Sequence, residues 1–272
     1  MLKGKKIVLG VTGGIAVYKA VDLVSKLRKQ GVEVRVVMTE HAQQFVTPLT
    51  FKEISGNKVA VSMWNANQEF NVEHIALADW ANLFMVVPAT ANIIAKMAYG
   101  IADDLLSTTL LAAHSPVIVC PAMNTHMYEN PATQENIAKI KTRGIVVMPP
   151  ASGVLACGAV GAGRLPEPAD IVNFVKDFFA KTEGDMRGLK VLVTAAGTRE
   201  PIDPVRYVGN RSSGKMGYSI AQAAAERGAE VTLVTGPSAL TPPPNIKVVN
   251  VETTQQMMDA CLAVYDGGDI AI

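Results

Sequence analysis

Twice in this chain a short run of aliphatic, β-branched residues meets a glycine turn, passes into a helical pattern, closes on another glycine and returns to a β-rich run. The first instance has Lys5–Gly10 as a strand, Val11–Gly14 as the turn, Ile15–Lys29 as a helix, Gly31 at its end and Val32–Met38 as the second strand. The second has Leu189–Thr194, a glycine-containing loop, helix Met216–Arg227, Gly228 and Val231–Thr235. Such units place their strands parallel, because a helix must carry the chain back across the sheet. Further runs at Leu83–Val87, Val117–Cys120 and Gly144–Met148 are continuously apolar rather than alternating, as strands covered on both faces are. Helical patterns around Ile93–Met97, Leu105–Ala113, Thr133–Lys141 and Ile171–Ala180 separate and follow them. The predicted architecture is α/β. A doubly wound parallel sheet occupies residues 1–181, a polar, glycine-containing linker 182–188, and a second, Rossmann-like α/β domain 189–272. In that second domain only two strands are read as complete before Gly267–Ile272 enters another, so it is expected to be the front part of a longer domain.

Composition removes several function classes. The 272 residues carry 25 Lys+Arg against 24 Asp+Glu, a net charge of +1, and 49% of them are hydrophobic. That is too apolar and too neutral for a disordered chain. Without a basic excess or a Lys/Arg block, nucleic acid is not an expected partner. The longest apolar stretches, Ile7–Val17 and Ala81–Val87, fall far short of the roughly 20 residues that cross a bilayer, and no membrane partner is expected. The basic start and apolar run imitate a signal peptide, but Thr12, Gly13 and Gly14 interrupt it. Cys120, Cys157 and Cys261 show no CxxC spacing and no even framework, which fits a reducing cytoplasm.

Candidate sites lie at strand ends. In Gly10-Val-Thr-Gly13-Gly14-Ile15-Ala16 glycines let the backbone approach a phosphate at a helix N-terminus. The spacing is not G-x-G-x-x-G, and the second strand ends in the hydroxyl of Thr39 rather than an acidic residue, which disfavours a nicotinamide dinucleotide. Phosphate or mononucleotide binding is read first and a plain tight turn second. Thr90 and Asn92, after the strand ending at Val87, suit either a planar ring or an ordinary helix cap. Asn124, in Cys120-Pro-Ala-Met-Asn-Thr-His-Met127-Tyr, suits either a substrate carboxylate or an Asx turn. His74 starts a helical pattern. No histidine has a partner at zinc-ligand spacing, so zinc is not expected. Cys157 and Arg164 sit in a glycine-dense stretch, Ser152–Pro168, with the composition of a flap over a site. Ser212-Ser213-Gly214-Lys215-Met216-Gly opens a helix with hydroxyls, glycines and a lysine, but lacks Walker A spacing.

Three of these segments, in this order around the first glycine loop, closely resemble one family. They are Pro121-Ala-Met-Asn124-Thr-His-Met127, Ala156-Cys157-Gly158 with Gly163-Arg164, and Asn210-Arg-Ser-Ser-Gly-Lys215-Met-Gly217. The family is the bifunctional coenzyme A biosynthesis flavoproteins, which fuse phosphopantothenoylcysteine decarboxylase to phosphopantothenate–cysteine ligase, and the resemblance covers essentially the whole chain. It implies a flavodoxin-like domain that binds FMN and assembles as a homo-oligomer, a trimer or dodecamer. It further implies that Gly13, Gly14, Ile15, Ala16 and Thr39 hold the FMN phosphate and that Thr90, Asn92, Ala122 and Met123 surround the flavin. His74 would then be the active-site base, Asn124 the carboxylate binder, Cys157 the proton donor, and Met127 and Arg164 further substrate contacts.

The implied chemistry makes 4'-phosphopantetheine from 4'-phosphopantothenoylcysteine. Loss of CO2 from an N-acylcysteine needs a temporary electron sink, which transient oxidation of the thiol by flavin supplies. For the second domain the resemblance implies activation of 4'-phosphopantothenate by CTP with Mg2+, then attack by cysteine, with Asn210, Ser212, Ser213, Gly214, Lys215 and Met216 at the site. The family's lysine-rich segment lies beyond Ile272, so this polypeptide is expected to decarboxylate without ligating. Two positions depart from the family pattern, Ala159 after Ala-Cys-Gly and Leu165 after Gly-Arg. The competing readings are a nicotinamide oxidoreductase and a non-catalytic flavoprotein regulator of the same fold; the joint presence of His74, Asn124 and Cys157 favours catalysis over the latter.

Overall fold

The computed structural model describes residues 2–64, 73–154, 160–265 and 267–272. Two compact units divide it, residues 2–174 and 175–272. The first runs β1 (Lys6–Val11), α1 (Val17–Lys29), β2 (Glu33–Met38), α2 (Glu40–Gln43), α3 (Pro48–Ser55), β3 (Val59–Ala60), α4 (Glu73–Trp80) and β4 (Leu83–Ala89). It continues through α5 (Ala91–Tyr99), α6 (Leu105–Ala112), β5 (Val117–Pro121), α7 (Thr125–Glu129), α8 (Pro131–Thr142), β6 (Val146–Val147), β7 (Ala151–Val154), β8 (Val160–Arg164) and the start of α9 (Pro168–Glu183).

Six strands form one parallel sheet in the order β3-β2-β1-β4-β5-β6. Without the two-residue edge strand β3, the order β2-β1-β4-β5-β6 is the flavodoxin arrangement, whose reversal beside β1 opens a crevice at the strands' carboxyl ends. The sequence pattern explains the layers. All seven residues of β4 are buried, as a central strand sandwiched between helices requires. A fully buried side chain such as Phe84 or Met85 contributes roughly 1.5–3 kcal/mol. On α1 the buried Val17, Ala20, Leu23, Val24 and Leu27 share one face. Lys26, Arg28 and Lys29 complement the helix dipole in its last turn, and Gly31 takes the left-handed φ of +79° that ends it.

β7 and β8 pair antiparallel outside this sheet and carry the stretch expected to be a flap. Two of its glycines seat β8 against the 123–125 turn. A Cβ on Gly161 would stand 2.7 Å from Thr125 Oγ1, and one on Gly163, whose φ is +126°, would meet the Met123 carbonyl oxygen.

The second unit contains the rest of α9, then β9 (Lys190–Ala195), the antiparallel pair β10 (Arg199–Pro201) and β11 (Tyr207–Gly209), α10 (Lys215–Glu226), β12 (Glu230–Thr235), β13 (Lys247–Asn250), α11 (Thr254–Tyr265) and β14 (Ile270–Ala271). Here the structure corrects the sequence reading of two complete strands. Four parallel strands pair in the order β13-β12-β9-β14. The ladder runs through Ile272, whose N–H donates to the Leu192 carbonyl at 2.9 Å and whose carbonyl accepts from Thr194 N–H at 2.8 Å. Val191, Val193, Leu233 and Tyr218 pack into a separate core there, so this unit buries more than two strands would.

Candidate functional site

In the first unit the carboxyl ends of β1, β4 and β5 deliver three loops to one cleft of about 630 Å³. That size falls within the roughly 300–1,000 Å³ of sites for small ligands and cofactors. From β1 come Gly13, Gly14, Ile15 and Ala16; from β4, Pro88, Thr90 and Ala91; from β5, Ala122, Met123, Asn124 and Met127. Gly163, Arg164 and Leu165 close one wall, and Tyr18 and Lys19 of α1 complete it.

The β1 loop is built for an anion. α1 has Ala16 at its N-cap, no side chain capping it and no acidic residue in its first turn; the Val17 and Lys19 N–H groups turn back to the Gly14 and Ala16 carbonyls at 3.0 Å, and the positive dipole end meets the cleft. Gly13 passes so close to α2 that a Cβ there would collide with the His41 Cβ, whereas a Cβ on Gly14 would find only Thr90 Cγ2, at 3.9 Å. Thr12 Oγ1 ties the loop to β4. It donates to the Pro88 carbonyl at 2.7 Å and accepts from Thr90 N–H at 3.1 Å. These features fit a flavin mononucleotide: a phosphate at α1 and a largely apolar ring slot between the β4 and β5 loops.

Of the predicted FMN and substrate residues in this unit, Gly13, Gly14, Ile15, Ala16, Thr90, Ala122, Met123, Asn124, Met127 and Arg164 come together around the cleft. Asn92 is exposed on α5 and does not line it. Thr39 does not line it either; its hydroxyl caps α2, accepting from Ala42 N–H at 3.3 Å. His74 lies half-buried in the first turn of α4 and is not among the residues that line the cleft. Cys157 lies outside the described residues. Thr90 and Asn124 line the cleft and cap helices at once: Thr90 Oγ1 accepts from Ile93 N–H at 3.5 Å and Asn124 Oδ1 from His126 N–H at 2.9 Å. Capping orients both side chains at the cleft edge, so the two readings of each residue coexist. Cys120 on β5 is fully buried and does not line the cleft, and burial pushes its thiol up to about 12.

Sequence reasoning missed Lys19. Its side chain is only 7% exposed, and its Nζ donates to the Leu165 carbonyl at 3.0 Å and to Glu167 Oε1 at 2.9 Å. The same Oε1 accepts from Arg164 Nη2 at 2.6 Å. The Lys19 hydrogen bond holds the Glu167 carboxyl below the usual carboxylate range against some burial, with the charges of Lys19 and Arg164 adding to it.

In the second unit the residues expected at the ligase site gather at the carboxyl end of β9. Asn210 Oδ1 accepts from Ser212 N–H at 2.9 Å and lies against Gly197, where a Cβ would collide with it. The Ser213 carbonyl accepts from Ser238 Oγ at 3.1 Å. α10, like α1, has no side-chain cap; its N-cap is Gly214, φ +79°. Asn210, Ser212, Ser213, Lys215 and Met216 are exposed, and Gly214 is buried beneath them. A second cavity of about 290 Å³ lies instead at the amino ends of β9, β12 and β13, lined by Lys190, Glu230 and Lys247 and by none of these residues. Among the described residues no group of three or more His, Cys, Asp or Glu stands ready for a metal ion, and no helix is long and apolar enough to cross a membrane.

Comparison with known proteins agrees with this geometry. Residues 1–180 match the Flavoprotein family and residues 186–272 the DNA/pantothenate metabolism flavoprotein C-terminal domain. The coenzyme A biosynthesis bifunctional protein CoaBC of Vibrio vulnificus strain YJ016 is 50% identical over 271 residues, covering 100% of this chain and 67% of its own. The chain thus spans about two thirds of the length of that relative. Among solved structures, a PPC decarboxylase cysteine-to-serine mutant complexed with pantothenoylaminoethenethiol superposes with a TM-score of 0.57 at 31% identity, over 64% of this chain and 98% of that one. The FMN-dependent cysteine decarboxylase SpaF superposes with a TM-score of 0.56 at 30% identity, over 64% and 96%. A flavodoxin-like sheet with a phosphate-ready loop, joined to a second parallel unit and matched along its whole length at half identity, places this chain in the family of bifunctional coenzyme A biosynthesis flavoproteins.

Proposed function

We propose that the first unit binds FMN in the cleft and decarboxylates 4'-phosphopantothenoylcysteine to 4'-phosphopantetheine, a step in coenzyme A biosynthesis from pantothenate. The observation that carries this reading is the uncapped N-terminus of α1, entering through Gly13–Ala16 an apolar cleft whose far wall presents Asn124 and Arg164. Bound flavin would supply the reversible two-electron chemistry that the side chains lack. Gly13–Ala16 offer backbone N–H groups to its phosphate; Thr90, Ala122 and Met123 border its ring. Asn124, oriented by its capping bond, offers its amide to the substrate carboxylate, and Arg164 its guanidinium to a second anionic group. Cys157 is assigned the proton that completes the product, and His74 the role of base. A serine variant of the related decarboxylase is complexed with pantothenoylaminoethenethiol, the unsaturated thiol expected when CO2 has left and hydrogen has not returned.

The apolar Ile15, Tyr18 and Met127, each more than half exposed at the cleft itself, support burial of this face in a homo-oligomer of trimeric or dodecameric type. For the second unit we assign 4'-phosphopantothenate, cysteine and CTP with Mg2+ to the surface around Asn210–Met216. Its uncapped α10 suits a phosphate, and Mg2+ with a nucleotide is held largely by phosphates. A cytoplasmic location accords with these metabolites.

The test is to load the chain with FMN and replace Cys157 with Ser. Wild type should release CO2 and form 4'-phosphopantetheine, while Cys157→Ser should release CO2 and accumulate the enethiol. Normal product from that variant removes Cys157 from its role. FMN uptake without CO2 release by wild type would favour the non-catalytic module.

A further inference from the structure

We propose that Lys19 is a positioning residue for substrate: from inside α1 it fixes Leu165 and Glu167, and through Glu167 it holds the Arg164 guanidinium at the wall of the cleft. The inference rests on the reading above, in which Arg164 meets an anionic group of the ligand.

A lysine 7% exposed is uncommon, since burial of an ammonium is costly unless it is paired. Here it is paired on two sides, by the Leu165 carbonyl at 3.0 Å and Glu167 Oε1 at 2.9 Å. Both acceptors follow Arg164 within three residues and belong to the segment that leaves β8 along the cleft. Lys19 itself lies one turn beyond Ala16. One rigid helix therefore carries the phosphate loop at its start and the anchor for the opposite wall three residues later.

The arrangement also settles where Arg164 can point. Its side chain is 44% exposed and that of Glu167 53%, and such an exposed pair, left alone, holds a long side chain only loosely. With Oε1 pinned by a buried ammonium, the carboxylate becomes a fixed acceptor and Arg164 Nη2, 2.6 Å away, is fixed with it. The charges do not cancel. Two cations share one carboxylate, leaving one net positive charge beside the cleft, which suits a ligand carrying a phosphate and a carboxylate.

A lysine that only stapled the chain would change stability and leave substrate affinity alone. Lys19→Met, Glu167→Gln, Arg164→Ala and the double variant Lys19→Met/Arg164→Ala are therefore compared in the full FMN-loaded chain, by calorimetric binding of the product 4'-phosphopantetheine, which keeps the phosphate, and by steady-state kinetics. Lys19→Met should keep FMN with the wild-type absorbance spectrum, raise Kd and KM about tenfold and change kcat less than twofold. Glu167→Gln, at a position 53% exposed and with a side chain of the same shape, should move KM the same way. The double variant should be no worse than Arg164→Ala alone, because Lys19 acts through Arg164. Wild-type KM in both Lys19→Met and Glu167→Gln overturns the proposal. So does a Lys19→Met effect that adds fully to that of Arg164→Ala. If Lys19→Met does not fold, Glu167→Gln decides alone. An FMN-loaded wild type that neither binds the product nor decarboxylates the substrate would instead sink the functional reading.

Discussion

At the scale of single residues, local spacing reveals what the chain does to itself and hides what distant segments do to one another. Gly13 is legible because a glycine between a strand and a helix has one common use. The structure adds the reason that Gly13 and Gly14 are not equivalent. A Cβ at position 13 runs into His41, while one at 14 meets only Thr90 Cγ2 at 3.9 Å. Gly13→Ala should therefore push the loop away from α2, at about 1–3 kcal/mol of overpacking, and weaken FMN binding at least tenfold. Fluorescence titration of FMN into the apo-protein measures this, and an unchanged Kd would show that the loop does not hold the phosphate. Lys19, by contrast, is invisible in sequence. Its partners lie 146 and 148 residues away, and in the helical pattern it reads as one more surface lysine. Thr39 shows a second limit of local spacing: the hydroxyl expected at the strand end also caps α2, a bond that depends on where the chain turns after Met38.

Among elements, long apolar strands and periodic helices could be read in advance, and short or sparsely apolar ones could not. β3 has two residues and β13 only four, too few for a period to declare itself, whereas β6, also of two, falls inside the run read at Gly144–Met148. In the second sheet this hides β13 from the sequence. The pairing of β7 with β8 was likewise hidden by its glycines, which carry no pattern. Yet Gly163 fastens β8 to the cleft. Its carbonyl accepts from Met123 N–H at 3.0 Å, and its φ of +126° leaves no room for a Cβ beside the Met123 carbonyl. Gly163→Ala should cost about 1–3 kcal/mol in strain and raise KM for the substrate, because the Arg164 wall moves. Urea denaturation and KM report the two effects separately.

α6 offers a pH-dependent case. Asp104 and Ser107 form a reciprocal capping box, and Lys96 Nζ contacts Asp104 Oδ2 at 2.8 Å. Burial opposes the Asp104 charge, but hydrogen bonds from Lys96 and Ser107 outweigh it and hold the carboxyl below its ordinary value. A carboxyl depressed in the folded state stabilises it at and above the unfolded pKa, and that contribution fades as pH falls through the folded value. Asp104→Ala should thus cost about 1 kcal/mol at pH 7 through the lost cap. The gap from wild type should narrow only below about pH 4, near the ordinary carboxylate pKa. A gap that instead grew on acidification would contradict this assignment.

For the whole molecule, the chain falls into two compact units, residues 2–174 and 175–272, while the family matches end at residue 180 and resume at 186, on either side of the linker read at 182–188. Each unit has its own parallel sheet and its own buried cluster, Val8, Phe84 and Val119 in the first and Val191, Val193 and Leu233 in the second. We expect two calorimetric transitions from the intact chain, and FMN should move one of them. At a free concentration one hundred times its Kd, FMN stabilises the unit that binds it by about 2.7 kcal/mol. For a domain of this size each kcal/mol raises Tm by roughly 2–4 °C, so one transition should rise by about 5–11 °C while the other stays in place. A segment ending after Glu183, which keeps α9 whole, should show the FMN-sensitive transition alone and the same flavin spectrum. A single transition shifting as one body would mean that the two sheets unfold together and that the division into two units has no thermodynamic counterpart. A rise confined to the transition missing from the shortened segment would put the flavin in the second unit and overturn the assignment of the cleft.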